Sequence, residues 1–437
     1  MTRKKRAPLL AAVAVAAAAA SVLTGCSSSN GSGTASSGGV VHLTFTNWDN
    51  GMQTLVDTWN KENPKIQVKL IKPSGTGYTL YNKLITDNKA GTNPDLTEVE
   101  YQALPMMVSN KVVVPIDKYV SDLSNFSKET LSQVQFEGKT YGVPQNVCPL
   151  VFFYRKDLLA KDGITTPPAT WDEFAKDAAI VHAANPKQYL MNFDASSPEW
   201  FAGLAQQAGA NWWSTSGNTW SVNIDDAATQ KVASYWQKLL DDGVIAPGPS
   251  WSTQWNTDMN TGNILGWVSG QWAPNQLPTI APDTAGDWVA APVPAWTAGD
   301  KAIGTWGGEV EAVTADSKHP AEAAKFANWM NNTQEGINLL IKNVQVFPAA
   351  QKYQSLPALE TPPPFMKNQP DYNTLMKQLA SNVRGFDIWG PDANITFNSY
   401  SDAFGKAVQN HTSFLDALKT VQTSTVSDMK KTGYKVK

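Results

Sequence analysis

The sequence predicts an α/β fold organised in two domains, and three observations carry that reading. Strand-like and helix-like stretches alternate after residue 40, which implies parallel pairing through right-handed crossovers. About 400 residues follow the N-terminal segment, more than one core comfortably holds. The chain is 42% hydrophobic and only 17% charged, with 17 Trp, so large apolar bodies are available to fill two cores.

The N-terminus reads first. Arg3, Lys4, Lys5 and Arg6 precede an apolar run from Ala7 to Leu23, which is short for a membrane span of about 20 residues. A basic start, a short apolar stretch and small residues before Cys26 read as a secretory signal. Leu23-Thr24-Gly25-Cys26 resembles the bacterial lipobox, which implies a signal peptide over 1–25 and a lipidated Cys26. Residues 27–39 hold six Ser and four Gly, too little apolar surface to offset the ordering entropy. Such a coil spans roughly 20 Å, so 26–40 reads as a tethering linker. Two acyl chains anchor stably where one does not.

The alternation begins at Val41, where Val41, Leu43 and Phe45 share one face of a strand. Met52, Leu55, Val56 and Trp59 then recur at helical spacing, and Asn63-Pro64 ends that helix. Ile66, Val68 and Leu70 predict a second strand, Tyr78–Asp87 a second helix and Pro94–Glu100 a third strand. Phe136–Asn146 predicts a hairpin turning at Glu137-Gly138-Lys139, followed by an apolar strand over Leu150–Tyr154. Thr170 and Glu173 form a capping box for the next helix. A strand Leu190–Phe193, a helix from Pro198, a longer helix through Val232, Trp236 and Leu239, and strands Ile264–Gly270 and Trp288–Val293 predict a second α/β unit. A strand from Glu309 and a helix opened by Pro320 follow. After Pro362-Pro363-Pro364 the chain is mostly helical apart from the loop Arg384–Asn394.

Composition narrows the function classes. Without residues 1–25 the chain carries 31 Lys+Arg against 38 Asp+Glu, a net charge of −7, which argues against a nucleic-acid partner. Cys148 lies in an apolar stretch and reads as a small core residue. His42, His182, His319 and His411 lack ligand spacing, so neither a metal nor another cofactor is expected. Ser74–Leu80 lacks the Lys-Ser/Thr of a phosphate loop and reads as a turn before a helix. Asp225-Asp226 and Asp241-Asp242 sit at helix ends, where capping explains them. A glycoside hydrolase needs two carboxylates facing across a cleft, and Glu98, Glu100, Glu199, Glu309 and Asp392 all lie near loops. A lipid-anchored glycoside hydrolase or other carbohydrate-active enzyme is therefore the alternative to a binding protein.

Four stretches carry a resemblance: Pro94–Asp117, Tyr141–Phe174, Gly262–Leu277 and Gly307–Met330. In their order and spacing the chain resembles the extracellular solute-binding proteins of ABC transporters, in the group that binds sugars and oligosaccharides. The resemblance implies a two-lobe periplasmic-binding-protein-like fold with a ligand cleft between the lobes and several hinge crossovers. Lobe one would comprise 41–148 plus 300–342, and lobe two 149–299 plus 343–437. It implies a monomeric receptor, not an enzyme, on the extracytoplasmic face of the membrane. Its partners would be a carbohydrate and the ABC permease subunits.

A pyranose offers a weakly apolar C–H face that stacks on an aromatic ring, and hydroxyls that need amide or carboxyl partners when buried. Aromatic residues at strand ends beside Asn, Asp, Gln and Glu are the expected lining. The candidates are Trp272, Trp306, Gly307, Gly308, Asp49, Glu100, Tyr101, Trp389, Asn146, Trp200 and Trp251. Trp272 leads, because it follows an apolar strand and a Ser-Gly turn where the family places a sugar-stacking aromatic. Gly307-Gly308 matches the family's glycine pair at the lobe boundary. Asp49 has an alternative reading as a helix cap. Trp59, Trp171, Trp236 and Trp329 lie at helical or capping positions and read as structural.

Overall fold

The computed structural model describes residues 39–120 and 122–437; the expectations for the signal peptide, Cys26 and the linker to residue 38 lie outside the described residues. Two principal sheets organise the chain. Their strands are β1 (Val41–Thr46), β2 (Ile66–Ile71), β3 (Leu96–Glu100), β4 (Val143–Pro144), β5 (Leu150–Arg155), β6 (Gly266–Gly270), β7 (Trp288–Pro292) and β8 (Glu309–Val313). The first sheet has the order β2-β1-β3-β8-β4. Within it β1 pairs in parallel with β2 and β3, as the strand–helix alternation requires. The helix Met52–Glu62 buries Met52, Leu55, Val56 and Trp59, the stripe read from the sequence.

β8 enters this sheet from far along the chain and runs antiparallel to both β3 and β4. The second sheet, β6-β5-β7, is antiparallel on both sides of β5. The expected second α/β unit is present, but its main sheet is antiparallel. Helices Trp171–Ala184, Pro198–Ala208 and Ala227–Asp241 are present, but β6 and β7 return against β5 in the opposite direction. Parallel pairing in this region is limited to two short pairs, Asn192–Phe193 with Ala246–Pro247 and Thr219–Trp220 with Lys435–Val436, and to single bridges. β5 is buried along its whole length, which is why it reads as an unbroken apolar run.

Local signals behave as their chemistry predicts. The Thr170–Glu173 capping box closes in both directions. The hairpin pairs Gln135–Phe136 with Lys139–Thr140, and Glu137 and Gly138 both take positive φ, as a two-residue turn of this kind requires. Asp226 caps the helix Ala227–Asp241 through its carboxylate.

Two large cores form. One surrounds β5–β7 and contains Trp171, Trp200, Trp212, Trp213, Trp236, Trp255, Trp267 and Trp288, so most of the tryptophan surplus is packing. The helices Tyr372–Ala380, Ala393–Asn410 and Phe414–Lys431 add to it. The other surrounds β1 and β2 with Trp59, Phe326 and Met330. Val344, Val346, Ala349, Ala350 and Tyr353 pack into this core, although the resemblance assigned 343–437 to lobe two. The helix Gln334–Asn343 carries the chain along the first core, and the segment after it stays there before crossing.

Three stretches run side by side between the cores. Val147 donates to the Phe347 carbonyl at 3.0 Å, Trp306 to Cys148 at 3.1 Å, and Leu150 to Gly304 at 2.9 Å. Asn146 bridges Pro348, and Pro149 bridges Thr305. The stretches through Cys148 and Thr305 pass between the cores, and Phe347–Pro348 runs beside them from the segment packed on the first core.

Candidate functional site

Beside these crossings the lobes enclose a cavity of about 670 Å³. Seven of the eleven predicted residues line it: Asp49, Glu100, Asn146, Trp251, Trp272, Trp306 and Gly307. They come from four separate parts of the chain: the end of β1, the end of β3, the crossings, and the loop and strand end of the second lobe.

Trp272 sits at the N-cap of the helix Ala273–Ile280. Its indole N–H donates to the Trp306 carbonyl at 2.9 Å, which fixes the ring. The Trp306 ring meets it edge-on at 5.0 Å and 76°. Trp251 lies 6.0 Å from it at only 28°. With its one polar atom satisfied, the Trp272 ring has only apolar surface left to offer, as stacking on a sugar face demands. Gly270 is needed for this arrangement, since a Cβ there would fall 2.3 Å from the indole nitrogen and 2.5 Å from the Trp306 carbonyl. Trp251 is the exposed member at 44%, and its φ of +67° is a backbone strain of the kind found at ligand clamps.

The glycine pair does a different job from direct contact alone. Gly307 and Gly308 both take positive φ, at +92° and +111°. A Cβ on Gly308 would lie 2.7 Å from the Tyr101 ring. Tyr101 donates its hydroxyl to the Asn146 carbonyl at 3.1 Å, and Asn146 accepts the Glu309 N–H through Oδ1 at 2.8 Å. Tyr101 therefore packs against the crossings and faces away from the cavity.

Four predicted residues lie outside it. Trp200 is buried in the second core, 5.1 Å from the Trp236 ring and 5.7 Å from Phe193, so its assignment to ligand is replaced by a packing role. Gly308 lies beneath Tyr101. Tyr101 and Trp389 line a second inter-lobe groove of about 740 Å³ with Gln206, Thr305 and Arg384, which touches the cleft only at Gly307. Trp389 is itself buried against Phe386 and Trp213, because the loop after Arg384 folds back onto the second core. The capping alternative for Asp49 also fails: the helix Met52–Glu62 is capped by Gly51.

The lining extends beyond those eleven residues. Trp48, Gln271 and Glu309 belong to stretches whose composition suits a sugar lining. Glu199 was considered only as a hydrolase carboxylate, yet it reaches the cavity from the first turn of the helix Pro198–Ala208. Asn343–Val346 line the cavity too, and no local signal marks them.

The cavity is acidic. Asp49, Glu100, Glu199 and Glu309 all line it, and no Lys, Arg or His does so among the described residues. Burial raises Asp49 to about 6, opposed by a hydrogen bond with Glu98 and by the charge of Lys72. Lys72 itself donates to the carbonyls of Trp48, at 2.9 Å, and Asp49. Burial, reinforced by Glu100, raises Glu199 to about 8. Burial holds Glu309 well above the usual range, with Asp49 and Glu100 adding to the effect. Burial also raises Glu100, against the Tyr81 hydroxyl, which donates to it at 2.9 Å. Carboxyl groups held partly protonated can both donate to and accept from hydroxyls. Among the described residues no group of three or more His, Cys, Asp or Glu is arranged to hold a metal ion.

The profile of the family "Bacterial extracellular solute-binding protein" matches residues 44–337. The galacto-N-biose-/lacto-N-biose I-binding protein of the ABC transporter from Bifidobacterium longum, solved in complex with lacto-N-biose, is similar at a TM-score of 0.83 and 30% identity, covering 92% of this chain and 100% of that one. The two-lobe fold is shared with it. The arabinooligosaccharide-binding protein of Bacillus subtilis (strain 168) is 24% identical over 72% of this chain and 74% of its own. A putative binding protein of Brucella abortus (strain 2308) is 27% identical, and the match spans 61% of its length and 57% of this chain.

Proposed function

The chain belongs to the bacterial extracellular solute-binding protein family, and from that premise we propose that it binds a sugar or oligosaccharide in the inter-lobe cleft and delivers it to an ABC importer. The observation that carries this reading is the cavity itself. Four indoles, Trp48, Trp251, Trp272 and Trp306, share it with amides and carboxyls contributed by both lobes. That combination meets both faces of a pyranose, the C–H face and the hydroxyl rim.

The same residues act as receptor parts. Trp272 stacks on a sugar ring; Asp49, Glu100 and Asn146 hold hydroxyls from the first lobe; Trp251 closes the mouth. The side-by-side stretches through Cys148, Thr305 and Phe347 serve as the hinge about which the lobes close. First-lobe packing of Val344–Tyr353 supports a lobe boundary after about residue 356 in place of 342. Cys26 would carry the lipid that keeps a monomeric receptor beside its permease on the outer face of the membrane.

A thermal-shift screen tests the reading. The panel contains lacto-N-biose, β-1,6-galactobiose, arabino-oligosaccharides and maltodextrins. A true ligand at 100 times its Kd stabilises by about 2.7 kcal/mol and raises Tm. No rise with any carbohydrate would sink the proposal. Chromatography of the stabilising sugar after incubation addresses the hydrolase alternative: the receptor reading requires it to come back intact.

A further inference from the structure

We propose that the cleft selects its glycan by charge: it rejects sugars bearing a carboxylate or phosphate and binds amine-bearing sugars more tightly than their neutral counterparts. This rests on the sugar-receptor reading and specifies its substrate class. The lining presents Asp49, Glu100 and Glu309 from the first lobe and Glu199 from the second, with no basic side chain among the described lining residues. Lys72 is not itself part of the lining; its ammonium is engaged by the backbone carbonyls of Trp48 and Asp49 at the edge of this group.

Glu100 and Glu199 make the arrangement consequential. They stand on opposite lobes and line one cavity. No side chain donates to Glu199 among the described residues, whereas Glu100 accepts from the first lobe, through the Tyr81 hydroxyl. Closure thus brings two carboxyl groups together in a space shielded from water, and each must either keep a proton or find a donor. A neutral sugar offers hydroxyl donors to the protonated or ionised pair. An ammonium offers a charge-assisted donor to both and lets them ionise. An anionic sugar brings no countercharge, and every carboxyl of the lining that is ionised repels it in a medium where such repulsion is weakly screened.

The experiment uses triads of probes built on lacto-N-biose, β-1,6-galactobiose and maltotriose. Each triad holds a neutral form, a form with one free 2-amino group and a form with one C6 carboxylate. Calorimetric titration at neutral pH is expected to give, within a triad that binds, an amine form at least about tenfold tighter and a uronate form at least about tenfold weaker than the neutral one. Amine binding should also release protons, read as a dependence of the heat on buffer ionisation enthalpy. Glu199→Gln should shrink the amine-to-neutral affinity ratio. Uronate binding equal to neutral, an amine form no tighter, or a ratio unmoved in Glu199→Gln would each overturn the inference while leaving the receptor reading intact. Failure of all nine probes together with the neutral panel above would instead remove the receptor reading, and the inference with it.

Discussion

Glu98 and Glu311 sit directly opposite each other on the antiparallel ladder of β3 and β8, and both are wholly buried. Like charges in that relation repel. Glu98 accepts the Trp48 N–H at 3.1 Å, and Glu311 accepts from the Gln145 amide at 2.7 Å and from Asn331. Burial first, then the charges of Asp49, Glu309 and Glu311, holds Glu98 well above its usual range. Burial raises Glu311 to about 8 against its two amide donors. Glu98 hydrogen-bonds Asp49 and feels the charge of Glu309, both in the cleft lining, so its protonation state is felt at the site.

Stability should therefore fall as pH rises. A carboxyl whose pKa is raised in the folded state binds protons there that the unfolded chain has released, so folding is favoured at low pH and loses ground through the folded pKa. With Asp49 at about 6 and Glu199 and Glu311 at about 8, the loss runs from about pH 4, the unfolded carboxyl range, to about pH 8. Apo Tm measured at a series of pH values should decline over that interval. The decline should be smaller in Glu311→Gln, which removes the titrating group and keeps an amide-compatible shape. A flat or rising profile would show that the buried acids ionise freely.

Trp272→Ala should separate ligand contact from packing. The ring lines the cavity yet also packs on Trp267 at 5.7 Å and on Trp306. An aromatic anchor of this kind costs about 2–4 kcal/mol of binding when truncated, roughly 30- to 1000-fold in Kd. Because the residue is only half-buried, apo stability should drop by less than the 3–5 kcal/mol or so of a core tryptophan. Titration and apo unfolding on the one variant distinguish the roles. Near-native affinity with a collapsed Tm would count against a ligand role.

Trp200→Ala should behave in the opposite way. Its ring is enclosed by Phe193 and Trp236. Loss of such a side chain costs about 3–5 kcal/mol of folding stability. Any effect on affinity should vanish once measured below the lowered Tm. Weakened binding without loss of stability would return Trp200 to the site.

Gly308→Ala tests the hinge. At φ +111° a Cβ is strained, and here it would also strike the Tyr101 ring. Strain of this kind costs on the order of 1–3 kcal/mol. Ligand-free and ligand-bound small-angle scattering should show a smaller radius of gyration with ligand in the native protein. In Gly308→Ala the difference should shrink, since Tyr101 must leave the Asn146 carbonyl. Equal radii in the native protein at saturating sugar would argue against closure.

Lipidation is checked separately. Cys26→Ser should abolish incorporation of labelled fatty acid and release the protein from the membrane fraction. Unchanged membrane retention would contradict the anchor.

Sequence by itself determined what depends on neighbours along the chain. Periodicity revealed the helix Met52–Glu62 and the strands β1–β3; the Thr170–Glu173 capping box and the Glu137-Gly138 turn followed from side-chain and φ requirements a few residues wide. The aromatic–polar stretches around Asp49, Glu100, Trp272 and Trp306 were legible because a sugar needs that composition at strand ends. Only the tertiary structure decided which indole reaches the cleft. Trp200 and Trp272 carry the same side chain, and what separates them is that one helix face turns into the second core while the other ring is tied to the Trp306 carbonyl. The antiparallel return of β6 and β7, the packing of Val344–Tyr353 and the meeting of Glu100 with Glu199 likewise depend on contacts between residues far apart in the chain. Local pattern carries no information about such contacts, because their energy exists only once the lobes have assembled.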